Sequence, residues 1–511
     1  MLKKMTAESA KIVRNASVVA GATLLSRILG FVRDLIVAFA LGAGLPADAF
    51  FVAFRIPNLL RRLFGEGSLT MAFVPVFSRV KNEQGQEAAF VMARSALAWL
   101  VLVLGVITVL AIVGAKPLVL LIAPGFSANP ELMSLTVDLL RICFPYVIFI
   151  CGVALCMGVL NSMGHFLAPA LAPCALNIAL IGSALVGYFT GNSVALFMAW
   201  GVLIGGVLQW LLQQPYLRRM GLSWFGERSM DNPGVKRMGK LMLPTVFGAA
   251  VYQINVVLGT LLASFLPVGS ISYLYYSDRL VQFPLGVFGI AVGTAALPSL
   301  SALCAKGKDR EFAETLRNTV GLTLFISLPA MAGLISLAEP LIGLLFERGA
   351  FDAKAVVATA QALVAYGVGL PFIAMSRPLV AAFYAQEDTK TPVKVAILCL
   401  AVNVGAGYLL MQTIAHVGLA LAVSLSSMFN FTLLAILMWR RTGVSPLPWA
   451  GAFKSLLLSG LIGAGAWYSI SYGMLWFLLI PVWVAIYGFG SLLLKSDDAL
   501  MLMNALRRRR S

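Results

Sequence analysis

The chain has 511 residues, of which 60% are hydrophobic and only 12% charged, with a formal net charge of +17. Soluble domains are about 25% charged, so one large soluble core is excluded. Its surface would need more charge than this chain holds. Apolar stretches of ~20 residues recur along the whole length, each long enough to cross a bilayer. Backbone groups in lipid must bond within their own segment, which makes these stretches helices. No alternating ten-residue pattern suggests a barrel. The expected class is an all-α polytopic membrane protein.

In chain order, hydropathy and breakers predict about fourteen spans, centred near residues 30, 62, 104, 147, 178, 204, 252, 286, 327, 368, 402, 427, 458 and 482. The N-terminal apolar run extends well past a signal-peptide core and reads as a retained first helix. The connecting loops alternate in charge. One set carries Lys3, Lys4, Lys11 and Arg14, then Arg79 and Lys81, then Arg218 to Lys240. It continues with Lys306 to Arg310, Lys390 and Lys394, Arg440 and Arg441, and the tail RRRRS. The other set (GLPA, APGFSANPE, TGNS, LPVGS, AHVG) is nearly bare, with FERGAFDAK its main exception. Positive loops stay in the cytoplasm, so both termini are expected there and the span count is even. This placement accounts for the net charge without nucleic acid. Six cysteines lie in or beside apolar segments without CxxC or a nearby His, and read as packing residues.

An internal repeat is visible. Pro75 and Pro298, Pro117 and Pro340, and Pro169 and Pro392 are each 223 residues apart. Their surroundings are loosely alike: FVPVFS against ALPSLS, and KPLVLLI against EPLIGLL. The expected organisation is a six-helix lobe over 1–223 and a second over 224–445. Two further helices and a basic tail follow over 446–511. Six spans per lobe make the two lobes parallel repeats, a transporter architecture whose substrate site lies at the interface between halves.

Charges within spans are costly and usually face a bundle interior or an aqueous cavity. The first span, SRILGFVRD, carries Arg27, Arg33 and Asp34. Arg27 and Asp34 are seven apart and share a helix face, and Gly30 between them permits a bend. The second span, DAFFVAFRIPNLLRRLFGEGS, carries Asp48, Arg55, Arg61, Arg62 and Glu66. Pro57 with Gly65 and Gly67 predict that it is bent or broken. In the second half, YYSDRLVQFPLGVFGIAVG carries Asp278 and Arg279, and Arg377 sits beside Pro378. Arg141 lies in the fourth span. Arginines outnumber acids and both halves contribute, which predicts a cationic cavity. The planar fork of arginine suits phosphate. There is no GxxxxGK[ST] for an ATP-driven engine. No Ser/His/Asp set, paired catalytic carboxylates or acidic metal cluster is apparent, so no enzyme is expected.

SRILGFVRD, DAFFVAFRIPNLLRRLFGEGS and AFVP resemble the N-terminal signature of the MurJ/MviN lipid II flippases. SDRLVQFPLGVFGIAVGTAALPSLS and EDTKTPVK resemble that family's second-half motifs. The resemblance runs from about residue 15 to the final helices. It implies the fold of the multidrug/oligosaccharidyl-lipid/polysaccharide exporter superfamily, with fourteen helices, two six-helix lobes and a C-terminal pair. It implies a multi-pass protein of the cell inner membrane that moves lipid II from the cytoplasmic to the periplasmic leaflet by alternating access. No partner beyond lipid II and membrane lipids is implied, and the chain would act as a monomer. Matching the motifs residue by residue implies that Arg27, Arg33, Asp34, Arg61 and Arg279 bind the pyrophosphate. Asp48, Arg55, Arg62, Glu66, Asp278 and Arg377 would be supporting cavity charges. The helices over 446–495 resemble those forming a groove for the polyprenyl tail. Some relatives carry a sodium ion in the C-terminal lobe. Asn255 and Asn403 are the polar groups in suitable helices, and no other cofactor is implied. The alternatives are export of another polyprenyl-linked glycan and a non-transporting scaffold for cell-wall assembly.

Overall fold

The computed structural model describes residues 7–63, 69–286, 290–472 and 475–508. Every regular element among them is a helix. The chain forms two compact units, Met1–Ser272 with Arg348–Asp352, and Tyr273–Glu347 with Ala353–Ser511.

Unit 1 contains α1 (Ala7–Leu41), α2 (Leu45–Leu60), α3 (Leu69–Gln84), α4 (Gln86–Val113), α5 (Ala115–Ile122), α6 (Pro130–Cys143), α7 (Tyr146–Ser162), α8 (Leu167–Phe189), α9 (Val194–Arg219) and α10 (Pro233–Ser264). The chain passes from unit 1 to unit 2 within α11 (Ser270–Pro284). Unit 2 continues with α12 (Ile290–Ala305), α13 (Asp309–Ser336), α14 (Ala338–Phe346), α15 (Ala353–Ala385), α16 (Lys390–Thr442), α17 (Trp449–Ser471), α18 (Trp476–Leu493) and α19 (Asp497–Arg508).

Nine helices among the described residues are long and apolar enough to cross a membrane. Two predicted spans, near 62 and 286, are pairs of shorter helices instead: α2 with α3, and α11 with α12. In each pair the first helix widens into a π turn, at 61–63 and at 285–286. Pro57 removes an N–H from α2 just before the first of these turns. Gly65, Glu66 and Gly67 lie outside the described residues. The predicted centres at 402 and 427 share α16, which breaks at Ile414 and Ala415. Gly30 does not interrupt α1, which is continuous from Ala7 to Leu41.

The helix bounds themselves repeat. Shifted by 223, α4 coincides with α13 at both ends. The stretch from the start of α6 to the end of α7 coincides in the same way with α15, and α9 ends where α16 does. Pro75 and Pro298 lie within α3 and α12, and Pro169 and Pro392 in the first turns of α8 and α16. There a missing N–H costs nothing, because the first N–H groups of a helix have no intrahelical partner. The compact units divide the chain elsewhere than at 223. By contacts α10 goes with unit 1, and it meets α3, α4 and α5.

Unit 1 packs around Phe73, Phe77, Phe90, Met92, Leu155 and Val159. Its helices approach closely through small residues: a side chain on Gly201 would strike Ser183, and one on Gly205 would strike Leu176. Without a hydrophobic drive between helices in lipid, this close fit supplies the association energy. Unit 2 packs around Leu300, Phe312, Leu316, Phe383, Leu434 and Met438. Five of the six cysteines are buried, Cys304 is half-buried, and all are free thiols.

At the α16 break Ala415 has φ 47° and ψ −129°, a region that suits only glycine. Strain of roughly 1–3 kcal/mol is expected there. Ala415→Gly should therefore raise stability by about 1 kcal/mol after the extra unfolded-state entropy of glycine is subtracted. Thermal unfolding of the detergent-solubilised protein checks this; a lowered midpoint would show that the backbone there is unstrained.

Candidate functional site

The charges of SRILGFVRD do not share one fate. Arg27 is exposed, whereas Asp34, seven residues on, is buried at 4% exposure. Asp34 pairs with its neighbour instead: Arg33 Nη2 donates to Asp34 Oδ1 at 2.7 Å, and Nε to the same oxygen at 3.1 Å. The third nitrogen, Arg33 Nη1, donates to Asn177 Oδ1 of α8 at 3.0 Å. Asn177 is itself fixed, donating through Nδ2 to the Ser26 carbonyl at 3.2 Å. A guanidinium inside an apolar bundle needs each of its three nitrogens engaged. This cluster does so while leaving Arg33 partly open, with 17% of its side chain exposed. Sequence reasoning does not single out Asn177. Its signal is a lone amide in an otherwise apolar helix.

On α2, Asp48 is turned inward and is 2% exposed. It accepts hydrogen bonds from Gly269 N at 2.6 Å, from Ser272 N at 2.8 Å and from Ser272 Oγ. These donors belong to the turn that starts α11, so Asp48 serves as a helix cap supplied from elsewhere in the unit. The carboxylate expected as a supporting cavity charge is thus engaged by buried backbone and hydroxyl donors. Arg55 is half-buried and donates through Nη1 to Thr260 Oγ1 of α10. Arg61 Nε donates to Asn58 Oδ1 at 2.9 Å, one turn back. Arg62 is half-buried beside them. Between the end of α2 and α10 lies an apolar cavity of about 170 Å³, lined by Leu59, Leu63, Gln253, Ile254, Val257 and Leu258. Glu66 lies outside the described residues.

In unit 2, the guanidinium of Arg279 stands 4.7 Å from the centre of the Tyr275 ring, and Nη2 donates to its hydroxyl at 3.3 Å. The negative face of an aromatic ring attracts a cation placed over it. Asp278 accepts from Gln282 Nε2 one turn on. Arg377 is half-buried on α15 beside buried Pro378. Arg141, by contrast, is exposed and pairs with Asp138 at 3.4 Å, a surface contact worth less than about 1 kcal/mol. Asn255 is half-buried on α10 and Asn403 buried on α16. Among the described residues no three His, Cys, Asp or Glu side chains gather as a metal site.

The 223-residue shift pairs Arg55 with Asp278. The repeated backbone thus carries opposite charges at equivalent positions. The charged groups that matter here are not part of the repeat.

Long apolar helices arranged as two repeats, with arginines and their partners set inside them, define a polytopic membrane transport protein. The chain belongs to the family described as lipid II flippase MurJ, whose model matches residues 37–487. It is 39% identical over 466 residues to the lipid II flippase MurJ of Burkholderia cenocepacia, covering 89% of each chain. It is 35% identical over 501 residues to a probable lipid II flippase MurJ of Vibrio cholerae, covering 89% of this chain and 94% of that one. Among solved structures it resembles a lipid II flippase MurJ in an inward closed conformation, with TM-score 0.80 and 28% identity over 95% of this chain and 99% of that one. An inward-facing multidrug resistance MATE family transporter of the MOP superfamily shares the fold, with TM-score 0.68 and 14% identity over 84% of this chain and 98% of that one. These findings agree with the expected all-α transporter fold of the inner membrane.

Proposed function

We propose that this protein flips lipid II, the polyprenyl-pyrophosphate-linked peptidoglycan precursor, from the cytoplasmic to the periplasmic leaflet by alternating access. Family membership at 35–39% identity over most of the chain supports the substrate. The single observation that carries the site is Arg33, anchored on two sides yet still partly open. Asp34 and Asn177 hold the guanidinium in place before substrate arrives, so little side-chain entropy is lost on binding. The pyrophosphate then meets a preoriented planar fork. Arg27 and Arg61 of the same unit supply further positive charge that offsets the loss of water around the head group. The polyprenyl tail remains in lipid beside α17 and α18. Chemistry is not required, and the protein works as a monomer with both termini in the cytoplasm. An inside-negative potential favours outward movement of the anion by ~2.3 kcal/mol per uncompensated charge per 100 mV.

The test is exposure of lipid-linked precursor in the outer leaflet of cells depleted of their own flippase and expressing either this protein or Arg33→Ala at matched membrane levels. Restoration by the natural sequence and loss in the variant is the expected outcome. Restoration by both removes Arg33 from the mechanism. Restoration by neither, with the protein correctly inserted, overturns the flippase reading.

A milder variant examines the support. Asn177→Leu keeps the branched shape of the side chain and removes a hydrogen bond to a charged group, worth ~1.5–3 kcal/mol. Precursor exposure in the same cells should fall about tenfold or more, since ~1.4 kcal/mol is a factor of ten. An unchanged rate would make Asn177 a packing residue only.

A further inference from the structure

The last helix, α19, follows the apolar α18 after only Leu494–Ser496. Three residues reach about 10 Å at most, so α19 begins at the membrane surface where α18 ends. One face of it is seated in unit 2. Asp498 and Ala499 are each 6% exposed. Asp498 Oδ1 lies 2.7 Å from where a side chain on Gly321 of α13 would start, and Oδ2 lies 3.1 Å from the same point on Gly451 of α17. Two glycines thus make room for the carboxylate, and this seat fixes the rotation of the helix. The opposite face carries Leu500 and Met501, exposed at 37% and 44%. The chain then runs into Arg507, Arg508, Arg509 and Arg510.

An apolar pair on a helix that begins at the level of the headgroups, in a chain whose sequence goes on to four consecutive arginines, fits one partner: a layer that is apolar below and anionic above. We propose that α19 is an interfacial helix that binds the anionic phospholipid surface of the bilayer, with Leu500 and Met501 entering the headgroup layer and the arginine run supplying the charge. Apolar insertion and basic charge act together in such helices, since either alone binds weakly. The proposal does not depend on which substrate the protein moves.

Backbone amide exchange of the full-length protein tests it, in vesicles of phosphatidylcholine with phosphatidylglycerol and in vesicles of phosphatidylcholine alone. Exchange over α19 should be on the order of tenfold slower with the anionic lipid. The difference should shrink at about 0.5 M salt, where the Debye length is only a few Å. Replacing Arg507, Arg508, Arg509 and Arg510 together by Gln, which keeps helix propensity, should abolish the difference. The double variant Leu500→Ser and Met501→Ser should reduce it. Equal exchange in both lipids, or a difference that survives the four Gln substitutions, overturns the proposal. Slower exchange that appears only when a cell extract is added would assign the face to a protein partner and equally overturn it.

Discussion

Asp48→Ala is expected to cost the protein about 4 kcal/mol of stability while leaving every apolar contact of α2 in place. The carboxylate accepts from Gly269 N, Ser272 N and Ser272 Oγ in a buried setting. Removing it strands these donors where water cannot reach them, at ~1–3 kcal/mol for each buried group left unmade. The serine hydroxyl can turn toward another acceptor, but the two backbone N–H groups cannot. Asp48→Asn should fall between the two, because its amide keeps one acceptor oxygen and presents an NH₂ to the remaining donor. Thermal unfolding in detergent, followed by tryptophan fluorescence, orders the three proteins. A loss below about 1 kcal/mol for Asp48→Ala would mean that the acid faces open water and acts as a supporting cavity charge rather than as a cap. Precursor exposure measured on the same variants separates the two roles. A capping residue lowers activity only as far as it lowers the amount of folded protein.

Gly349→Ala should be nearly as damaging, for a reason that lies in the backbone. The last four carbonyls of a helix have no partner within it. Phe39 is one of these at the end of α1, and Ala350 N donates to its oxygen at 2.9 Å. The contact brings two glycines together. Gly42 ends α1 at φ 70°, and a side chain there would strike the Ala350 carbonyl. Gly349 has φ 62°, and a side chain there would strike Phe39 O. An alanine at 349 therefore meets a left-handed conformation, at ~1–2 kcal/mol, and a backbone atom that cannot yield. Undocking the segment and losing its hydrogen bond brings the expected loss to about 3 kcal/mol. Gly307 provides the control, since it has φ 64° with nothing within 4 Å of the point where a side chain would start. Gly307→Ala should cost only the conformational part, about 1 kcal/mol. Equal melting temperatures for the two variants would show that φ alone matters at 349 and that the close approach carries no energy.

Much of this architecture is legible in the residue order. Apolar runs separated by Gly, Pro and charge locate the helices, because lipid leaves the backbone no other way to satisfy itself. The 223-residue spacing of the prolines foreshadows helix ends that coincide residue for residue at α4 and α13. The arginines of the first two spans stand out because charge in such a setting is expensive. What the residue order conceals is direction. Arg27 and Asp34 are a helical repeat apart, yet one is exposed and the other buried, since Asp34 is drawn to its immediate neighbour Arg33. Asp48 reads like any other intramembrane acid, and only the turn at 269–272 shows that it is committed to backbone donors. Asn177 and Thr260 stay hidden for a similar reason. A single amide or hydroxyl in an apolar helix has no periodicity, and its importance comes from a partner more than a hundred residues away.

The segment Arg348–Asp352 belongs by sequence to the later part of the chain and by contacts to unit 1. Synthesis proceeds from the N-terminus, and helices enter the membrane in that order. The ribosome has therefore synthesised α1 to α14 before it makes the five residues that close the end of α1. Throughout that interval the Phe39 carbonyl waits without the Ala350 donor, and the first bundle is unfinished although all of its helices exist. A nascent chain halted before residues 348–352 leave the ribosome would hold the end of α1 in this state, and their release would let the Ala350 contact form. Closure of the end of α1 thus waits on the translation of a segment that follows four helices of the second half.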